Sequence, residues 1–431
     1  MPDYTAYLTD IQEVSISESA LNDKLFELKK LLERLSRELT FGESVQFPNL
    51  FSRLVFLAQQ HRIPNRLEWQ LQHLRVRTKE IREKNEELVE AEYRQHERAL
   101  INFLELLSGN KTNSDEGLTL SPQPIGKERT LRVQVQSVDN EKSEIRCLSE
   151  KHPGTEVTVR CDALSGPVDH FWEGAQLNLI DFTVDKNGRL LPKLIVLEPD
   201  YLIDASAIAE CFHDYCVTPM HYFRNKFETP ENRSYLLLGN LANFFLDELI
   251  FAQQPDEVSF DETFLKSFRQ SPFEYTSCRD IATDEDFRDF MRKARTQFEN
   301  IKRVITEDFP RRGINLHQCT LEPSFFSERY GFQGRLDLLH INKKAYEIVE
   351  LKSGKLPYPA YDTGKIALNH EVQTGVYRLM TESVFDVPSR RVEAAILYSS
   401  GSIPGTNLRF AAGFQQLEKE IINVRNLIIA N

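Results

Sequence analysis

The spacing of hydrophobic and polar positions changes twice along this chain. From about residue 17 to 108, apolar side chains recur at helical intervals among many Glu, Arg and Gln residues. Residues 65–107 contain no Gly or Pro, so the pattern predicts one long helix, packed on a second helix at 25–39 as an antiparallel hairpin. We expect this helical region, residues 1–115, to be a scaffold or a partner-docking arm.

A polar stretch follows, and its turn-forming residues predict a linker: Gly109, Asn110, Asn113, Ser114 and Gly117. Between about 129 and 199 the period changes to two, in short segments rich in Val, Ile and Leu. Their spacing predicts a small OB-like β-barrel over residues 116–200, with strands at 130–138, 143–148, 156–161, 176–184 and 190–197. Such barrels often bind single strands. Few basic or aromatic residues mark these strands, so we favour a structural brace.

From Tyr201 onward, helical and strand patterns mix, which predicts an α/β domain with a central mixed sheet at 201–431. Entry helices are expected at 205–227. The other expected helices are 234–252, 284–307 and 363–383, and the expected strands are 319–321, 334–341, 346–352 and 393–398. The predicted fold class is therefore multidomain α+β, with a helical hairpin, a barrel and an α/β core.

Composition excludes several classes of protein. No apolar run approaches the roughly 18 residues of a membrane span. The N-terminus lacks the basic and apolar regions of a signal peptide. We therefore expect a cytoplasmic protein with no membrane partner. The chain also has no G-x-x-x-x-G-K-[ST] loop, which excludes an ATP-driven motor within it.

Two carboxylates and a lysine are predicted to converge near the C-terminal end. Asp337 lies on one predicted strand and Glu350 and Lys352 on the next, with a short polar turn at 342–344 between them. Residues two apart on a strand share a face, and Asp337 can reach that face from its own strand. The alternative is a strand whose charges face solvent. The apolar neighbours on both faces argue against it, because unpaired charges on a buried strand are costly.

This set suits metal-dependent phosphodiester hydrolysis, in which water must be activated while negative charge builds on the phosphate. Mg²⁺ or Mn²⁺ takes oxygen ligands, so Asp337, Glu350 and the backbone carbonyl of Leu351 are candidate ligands. Lys352 would orient or deprotonate the water and shield the transition state.

Three runs of residues extend this pattern: Glu-Pro-Ser-Phe-Phe-Ser-Glu-Arg-Tyr-Gly-Phe-Gln-Gly-Arg-Leu-Asp at 322–337, Glu-Leu-Lys-Ser-Gly-Lys at 350–355, and Gln-x-x-x-Tyr at 373–377. Together they resemble RecB-like nucleases of the PD-(D/E)xK superfamily. They look most like the nuclease portion of the DNA replication helicase/nucleases that trim single-stranded flaps. The resemblance covers about residues 202–431.

The resemblance implies a Mg²⁺- or Mn²⁺-dependent nuclease acting on DNA, preferentially single-stranded or flapped. It implies that Asp337 and Glu350 bind the metal, that Lys352 is catalytic, and that Gln373 and Tyr377 contact the site or the DNA backbone. The residues themselves show only that Gln373 and Tyr377, four apart on a predicted helix, share a face. Without the family, Tyr377 would be a core residue with a satisfied hydroxyl.

Two departures from the family pattern concern metal ligands. Where the family has Gly-x-x-x-His, this chain has Gly239 and Asn243, with Asp247 one turn further on. Asn243 could offer a weaker oxygen ligand or could merely bond a neighbour, and both interpretations stay open. Many family members also bind an iron-sulphur cluster through three closely spaced downstream cysteines. No cysteine follows Cys319 here, so we expect no such cluster and six reduced thiols.

The formal net charge of −12 is unusual for a nucleic-acid-binding protein. Local basic runs at 292–303 and 224–226 could form a groove, although such runs are commonly solvated faces. The competing hypothesis is a non-catalytic DNA-binding or assembly module with a decayed nuclease core. Finally, the apolar stripe at 415–431 resembles the junction with a superfamily-one helicase. We therefore expect a helicase domain C-terminal to this chain.

Overall fold

The computed structural model describes residues 2–43, 47, 49–109, 129–162, 166–228, 231–343, 345–401, 403, 405–411 and 415–431. Most of the predicted linker, from Asn110 to Gly117, lies outside these residues. The chain forms two compact units, Met1–Asp200 and Tyr201–Asn431. The finer division into three domains stays a prediction. No helix in the described part of the chain is long and apolar enough to cross a membrane.

The first unit begins with five helices: α1 (Tyr4–Ile16), α2 (Leu21–Leu39), α3 (Leu50–Gln60), α4 (Asn65–Lys84) and α5 (Glu90–Leu107). Their apolar faces share one core. The prediction of a single long helix is wrong, because Asn85 adopts a left-handed conformation (φ 52°, ψ 43°) and ends α4. The chain then reverses, and α4 and α5 both pack on α2. The expected hairpin is thus a five-helix assembly.

Seven strands complete the first unit: β1 (Thr130–Asp139), β2 (Glu144–Ser149), β3 (Glu156–Arg160), β4 (Gln176–Ile180), β5 (Thr183–Val184), β6 (Leu190–Leu191) and β7 (Leu194–Leu197). Their order is β5-β6-β3-β2-β1-β4-β7, and only β3 and β6 pair in parallel. Within the described residues β5 and β7 each have one neighbour, so the predicted OB-like barrel is not confirmed. Two predicted strands are each split, one at Asp181 (φ 47°) and one before Leu194.

The second unit has nine α-helices in its described residues: α6 (Ala205–Ala209), α7 (Met220–Phe227), α8 (Ser234–Phe251), α9 (Phe260–Gln270), α10 (Pro272–Ser277), α11 (Asp284–Arg303), α12 (Phe309–Arg312), α13 (Leu368–Phe385) and α14 (Gln415–Ala430). Its strands are β8 (Ile203–Asp204), β9 (Phe212–His213), β10 (Cys216–Val217), β11 (Cys319–Leu321), β12 (Ser324–Ser327), β13 (Phe332–Arg335), β14 (Leu338–Ile341), β15 (Tyr346–Lys352), β16 (Val392–Tyr398) and β17 (Leu408–Phe410). The predicted run of entry helices is wrong in part, because the β9–β10 hairpin interrupts it.

The central sheet has the order β11-β14-β15-β16-β17, and only β15 and β16 are parallel. This confirms the predicted mixed α/β core. Successive residues of β15 point to opposite faces of the sheet. Val349 and Leu351 pack in the hydrophobic core with residues of α8 and α11. Glu350 lies on the other face, where its side chain meets Gln373 of α13. That face carries the polar residues of interest.

The last helix of the unit is tied to its first residues. Arg425 on α14 is fully buried, and it donates from Nε to the Gly331 carbonyl (3.0 Å) and from Nη2 to the Tyr201 carbonyl (2.7 Å). Gly331 has a φ of +68°, and a Cβ there would collide with the Arg425 guanidinium. A glycine is therefore required where the chain enters β13.

Candidate active site

The site lies where β15 extends beyond its antiparallel neighbour. Val349 of β15 faces Leu338, the first residue of β14, so the last three residues of β15 have no β14 partner. The Leu351 amide, which β14 leaves free, instead donates to Asp337 Oδ2 at 2.6 Å. Unequal strand length thus brings the carboxylate to the end of β15.

Asp337 occupies a break between two strands. Its own strand was predicted as continuous over 334–341, but β13 and β14 belong to different sheets and the chain crosses between them at residues 336–337. The Leu336 amide bonds the Pro323 carbonyl and the Asp337 carbonyl accepts from the Glu322 amide, each at 3.1 Å. The crossing is therefore braced by the segment that precedes β12.

Four other predicted residues form one continuous hydrogen-bond network. Lys352 Nζ lies 2.9 Å from Glu350 Oε1 and 2.7 Å from Gln373 Oε1. Gln373 Nε2 donates to Glu350 Oε1 at 2.7 Å and meets the Tyr377 hydroxyl at 2.9 Å. Tyr377 donates in turn to the Arg335 carbonyl at 2.9 Å. The structure thus brings Glu350, Lys352, Gln373 and Tyr377 together beside Asp337.

Burial makes the negatively charged forms of Asp337 and Glu350 unfavourable unless a cation compensates them. Glu350 is only 3% exposed, and its Oε2 is buried without a hydrogen-bond partner among the described residues. Burial raises the pKa of Asp337 well above its ordinary range, and the charge of Glu350 raises it further. Lys352 compensates only one carboxylate directly. A cation between the two acids would satisfy both.

The carbonyl of Leu351 points toward the same gap. In an extended strand the N–H and C=O of one residue face the same edge, and neighbouring residues alternate between edges. The Leu351 amide faces Asp337, whereas the Lys352 carbonyl faces the opposite edge and accepts from Ser399. Two carboxylates and one carbonyl are hard oxygen donors that suit Mg²⁺ or Mn²⁺. The residues present therefore fit the metal that the sequence implies.

Asn243 lies half-buried on α8, and it forms no side-chain hydrogen bond with any residue that the structure describes. Gly239, one turn earlier, approaches Ser353 directly after β15. Burial, followed by the charge of Glu322, raises the pKa of Asp247 to about 6. This face of α8 therefore looks toward the segment before Asp337. The role of Asn243 as a ligand stays a prediction.

Sequence reasoning missed His370, which precedes Gln373 by one turn on α13. Its Nδ1 lies 2.9 Å from the Tyr398 hydroxyl. Burial, followed by the charge of Lys352, lowers the pKa of His370 to about 4. A neutral imidazole thus borders the site. Its helical spacing from Gln373 was the signal that could have found it.

Several cations of the two candidate basic runs are paired with carboxylates. On α11, Arg292 and Lys293 both pair with Asp289, and Arg295 pairs with Asp261 at 2.7 Å. Arg224 of the other run lies 3.2 Å from Glu228. These cations are largely compensated by neighbouring carboxylates.

All six cysteines are free thiols, four of them buried. In the described residues, no three or more His, Cys, Asp or Glu side chains are grouped so that they could hold a metal ion. Any ion at Asp337 and Glu350 would therefore need a backbone, amide, water or substrate oxygen as well.

Comparison with known protein families gives a match for residues 222–425, to the family model described as PD-(D/E)XK nuclease superfamily. The chain is also similar to a crystal structure of a "Putative exonuclease" from Eubacterium rectale, with 13% identity and a TM-score of 0.34, covering 53% of this chain and 83% of that chain. At that identity and score, the likeness supports no conclusion about this chain. No curated protein matches it.

Proposed function

We propose that the PD-(D/E)XK nuclease superfamily domain in this chain is a metal-dependent deoxyribonuclease that cleaves single-stranded ends or flaps. The observation that carries the proposal is the unpartnered Oε2 of Glu350, buried beside Asp337. A buried carboxylate oxygen without a donor is costly unless another charge compensates it. A divalent cation would do so.

Asp337, Glu350 and the Leu351 carbonyl would hold Mg²⁺ or Mn²⁺, and Asn243 would be a weaker additional oxygen donor. When bound, such an ion polarises a phosphoryl oxygen and lowers the pKa of a coordinated water. The choice of DNA and of single strands rests on the resemblance of the sequence motifs.

Lys352 is the proposed catalytic cation. Its ammonium has three donors, and Glu350 and Gln373 occupy two of them, which leaves one for a substrate or water oxygen. Fixed in this way, it would stabilise negative charge that develops on the phosphate without reorganising during the reaction. Gln373 is a positioning residue for Lys352, and Tyr377 is a positioning residue for Gln373.

The same arrangement weighs against a non-catalytic module with a decayed core. Without an ion, the buried carboxylates of Asp337 and Glu350 would share the single ammonium of Lys352. This would destabilise the folded state, and a non-catalytic module would gain no activity from it. A helicase partner receives no such support. The apolar stripe of α14 is used within the second unit, where Leu417, Ile421 and Ile422 are buried.

The test is cleavage of end-labelled single-stranded, duplex and flapped DNA, and of matched RNA, in Mg²⁺, Mn²⁺ or EDTA. We expect cleavage only with metal. Asp337→Asn, Glu350→Gln and Lys352→Met should each lower the rate by on the order of a hundredfold or more, because each removes charge stabilisation from the transition state.

Glu393→Gln, an exposed carboxylate on neighbouring β16, and Lys293→Met, an exposed lysine on α11, are the matched controls and should cleave normally. Circular dichroism would confirm that each variant is folded. Activity near that of the unchanged protein in any of the three site variants would refute the assignment. Metal-independent binding of DNA without any cleavage would favour the non-catalytic module.

A further inference from the structure

The segment at 354–367, called the strap below, joins β15 to α13 and begins two residues after Lys352. It carries two of the most exposed aromatic side chains in the second unit, Tyr358 (90% exposed) and Tyr361 (75% exposed). Neither ring contacts another aromatic ring or forms a hydrogen bond in the part of the chain that the structure describes. Two bare tyrosine rings therefore lie on the segment that directly follows the strand carrying Glu350 and Lys352.

The strap is held in place from beneath. Arg409 on β17 is 0% exposed, and its Nη2 donates to the Ala360 carbonyl at 2.7 Å. Its Nη1 donates to the Lys365 carbonyl, so the two fixed points lie on either side of Tyr361. The Ser400 hydroxyl donates to the Gly354 carbonyl at the start of the strap.

Burying the charged guanidinium of Arg409 costs desolvation free energy, because the charge is removed from water. Arg409 is compensated by the carbonyls that it binds and by the face of Tyr398, whose ring centre lies 5.5 Å away. Its planar fork can engage two carbonyls at once, which a lysine could not do as rigidly. The result is a strap with a fixed backbone and outward-facing rings.

The strap also carries exposed cations. Lys355 and Lys365 are exposed, and neither forms an ion pair with any described residue. This contrasts with Arg292 and Lys293 on α11, which both pair with Asp289. The single acid of the strap, Asp362, accepts from the Gly364 amide and so stabilises the local turn. The strap therefore combines free aromatic faces with uncompensated positive charge, in a chain of net charge −12.

We propose that the strap is a docking platform for single-stranded nucleic acid, in which Tyr358 and Tyr361 stack on unpaired bases and Lys355 and Lys365 contact phosphates. Aromatic rings interleaved with cations fit this ligand because each unpaired base offers a π-face and each linkage offers a charge. Duplex bases are stacked on one another and offer no such faces. This inference rests on the proposed nuclease function and adds the surface that delivers the strand.

The test measures binding of a fluorescein-labelled oligothymidylate to the full chain in EDTA, by anisotropy. Tyr358→Ala and Tyr361→Ala should each weaken binding by about tenfold, the usual effect of losing one base-stacking ring. Tyr358→Phe should bind almost normally, because a phenyl ring still stacks. The control is Phe273→Ala, which removes another highly exposed ring (84%) on α10 and should have no effect.

An oligonucleotide with abasic residues at every position gives a second readout. Without bases to stack on, the unchanged protein and both alanine variants should bind it with equal affinity. Binding of oligothymidylate within twofold of normal by both alanine variants would overturn the proposal. So would self-association that Tyr358→Ala abolishes, since the strap would then join copies of this chain.

Cleavage of single-stranded DNA by the unchanged protein and by both alanine variants is followed in parallel with Mg²⁺, so that the two proposals can fail separately. Cleavage that is indifferent to the strap variants would remove the strap proposal and leave the nuclease intact. Binding that depends on the strap tyrosines, without any cleavage, would support the strap proposal and refute the proposed nuclease function.

Discussion

Gln373 is the residue on which the polar network depends. Its carbonyl accepts from Lys352 while its amino group serves Glu350 and Tyr377, so the amide has only one workable orientation. A leucine would leave the ammonium and the carboxylate unpositioned, and a glutamate would add a third buried acid. The four-residue spacing from Tyr377 could be read from the sequence. The bond from Tyr377 to a main-chain carbonyl could not, because it joins segments 42 residues apart.

A first prediction concerns the pH dependence that Asp337 confers. Its folded pKa is raised above its ordinary value near 3.8, chiefly by burial. The protonated form is therefore favoured in the folded state, and its contribution to stability is complete below about pH 4. That contribution is lost as pH rises through the folded pKa. In EDTA, Asp337→Asn should thus become progressively more stable than the unchanged protein as pH rises toward neutrality.

Urea unfolding at several pH values, with EDTA or with Mg²⁺, would measure this difference. Mg²⁺ should restore the unchanged protein at neutral pH and leave the variant unaffected, because only the former retains both acidic ligands. A gap between the two proteins that is constant across pH would contradict the prediction.

At the scale of elements, the spacing of apolar residues predicted the bounds of those helices and strands that depend on neighbouring residues in the sequence. The strand at 346–352 has the predicted bounds, and the placement of Glu350 and Lys352 on one face follows directly from a period of two. The break at 336–337 was missed because each half pairs with a different sheet, a tertiary choice with no local signal. The helix predicted from 363 begins at Leu368, since Arg409 holds residues 360 and 365 in the strap.

A second prediction concerns helices α4 and α5, which face each other through two histidines. His73 and His96 stack with ring centres 5.1 Å apart, and burial lowers the pKa of His96 to about 3. A depressed pKa means that the unfolded state binds protons more readily. The contribution of neutral His96 to the free energy of unfolding is therefore fully present above about pH 6.5, and it is lost as pH falls toward about 3.

His96→Phe keeps a stacked ring and cannot take up a proton, so acid unfolding of the helices should shift to lower pH. Circular dichroism at 222 nm, the usual helix band, would follow the transition. The control is His61→Gln, at the end of α3, where the side chain is only partly buried. An unchanged acid midpoint for His96→Phe would show that these rings do not limit stability.

At the scale of the whole molecule, the net charge of −12 constrains the proposed binding of DNA. Long-range attraction should be weak, so affinity must come from a few local contacts rather than from a broad basic surface. This follows from the pairing of the α11 cations and could not be inferred from composition alone, which counts charges without showing their partners.

A third prediction is therefore a shallow salt dependence of single-strand binding. Two lysines on the strap imply a slope of log affinity against log salt between about −1 and −2, given about −0.7 per phosphate neutralised. Replacing both Lys355 and Lys365 with alanine should bring the slope close to zero. Titrations in EDTA across a range of salt concentrations would measure it, and a slope steeper than about −4 would require a larger basic surface elsewhere.

The buried Arg425 also sets an order of events during synthesis. A ribosome releases the Asp337 and Glu350 segments well before α14, yet the chain entering β13 is held at Gly331 by an arginine on that last helix. The Tyr201 carbonyl, at the opposite end of the unit, also accepts a hydrogen bond from Arg425, which can form only after α14 has been synthesised. A nascent chain would thus emerge with its acidic residues made and the brace of β13 missing, so we expect the proposed site to become ordered only after α14 has docked.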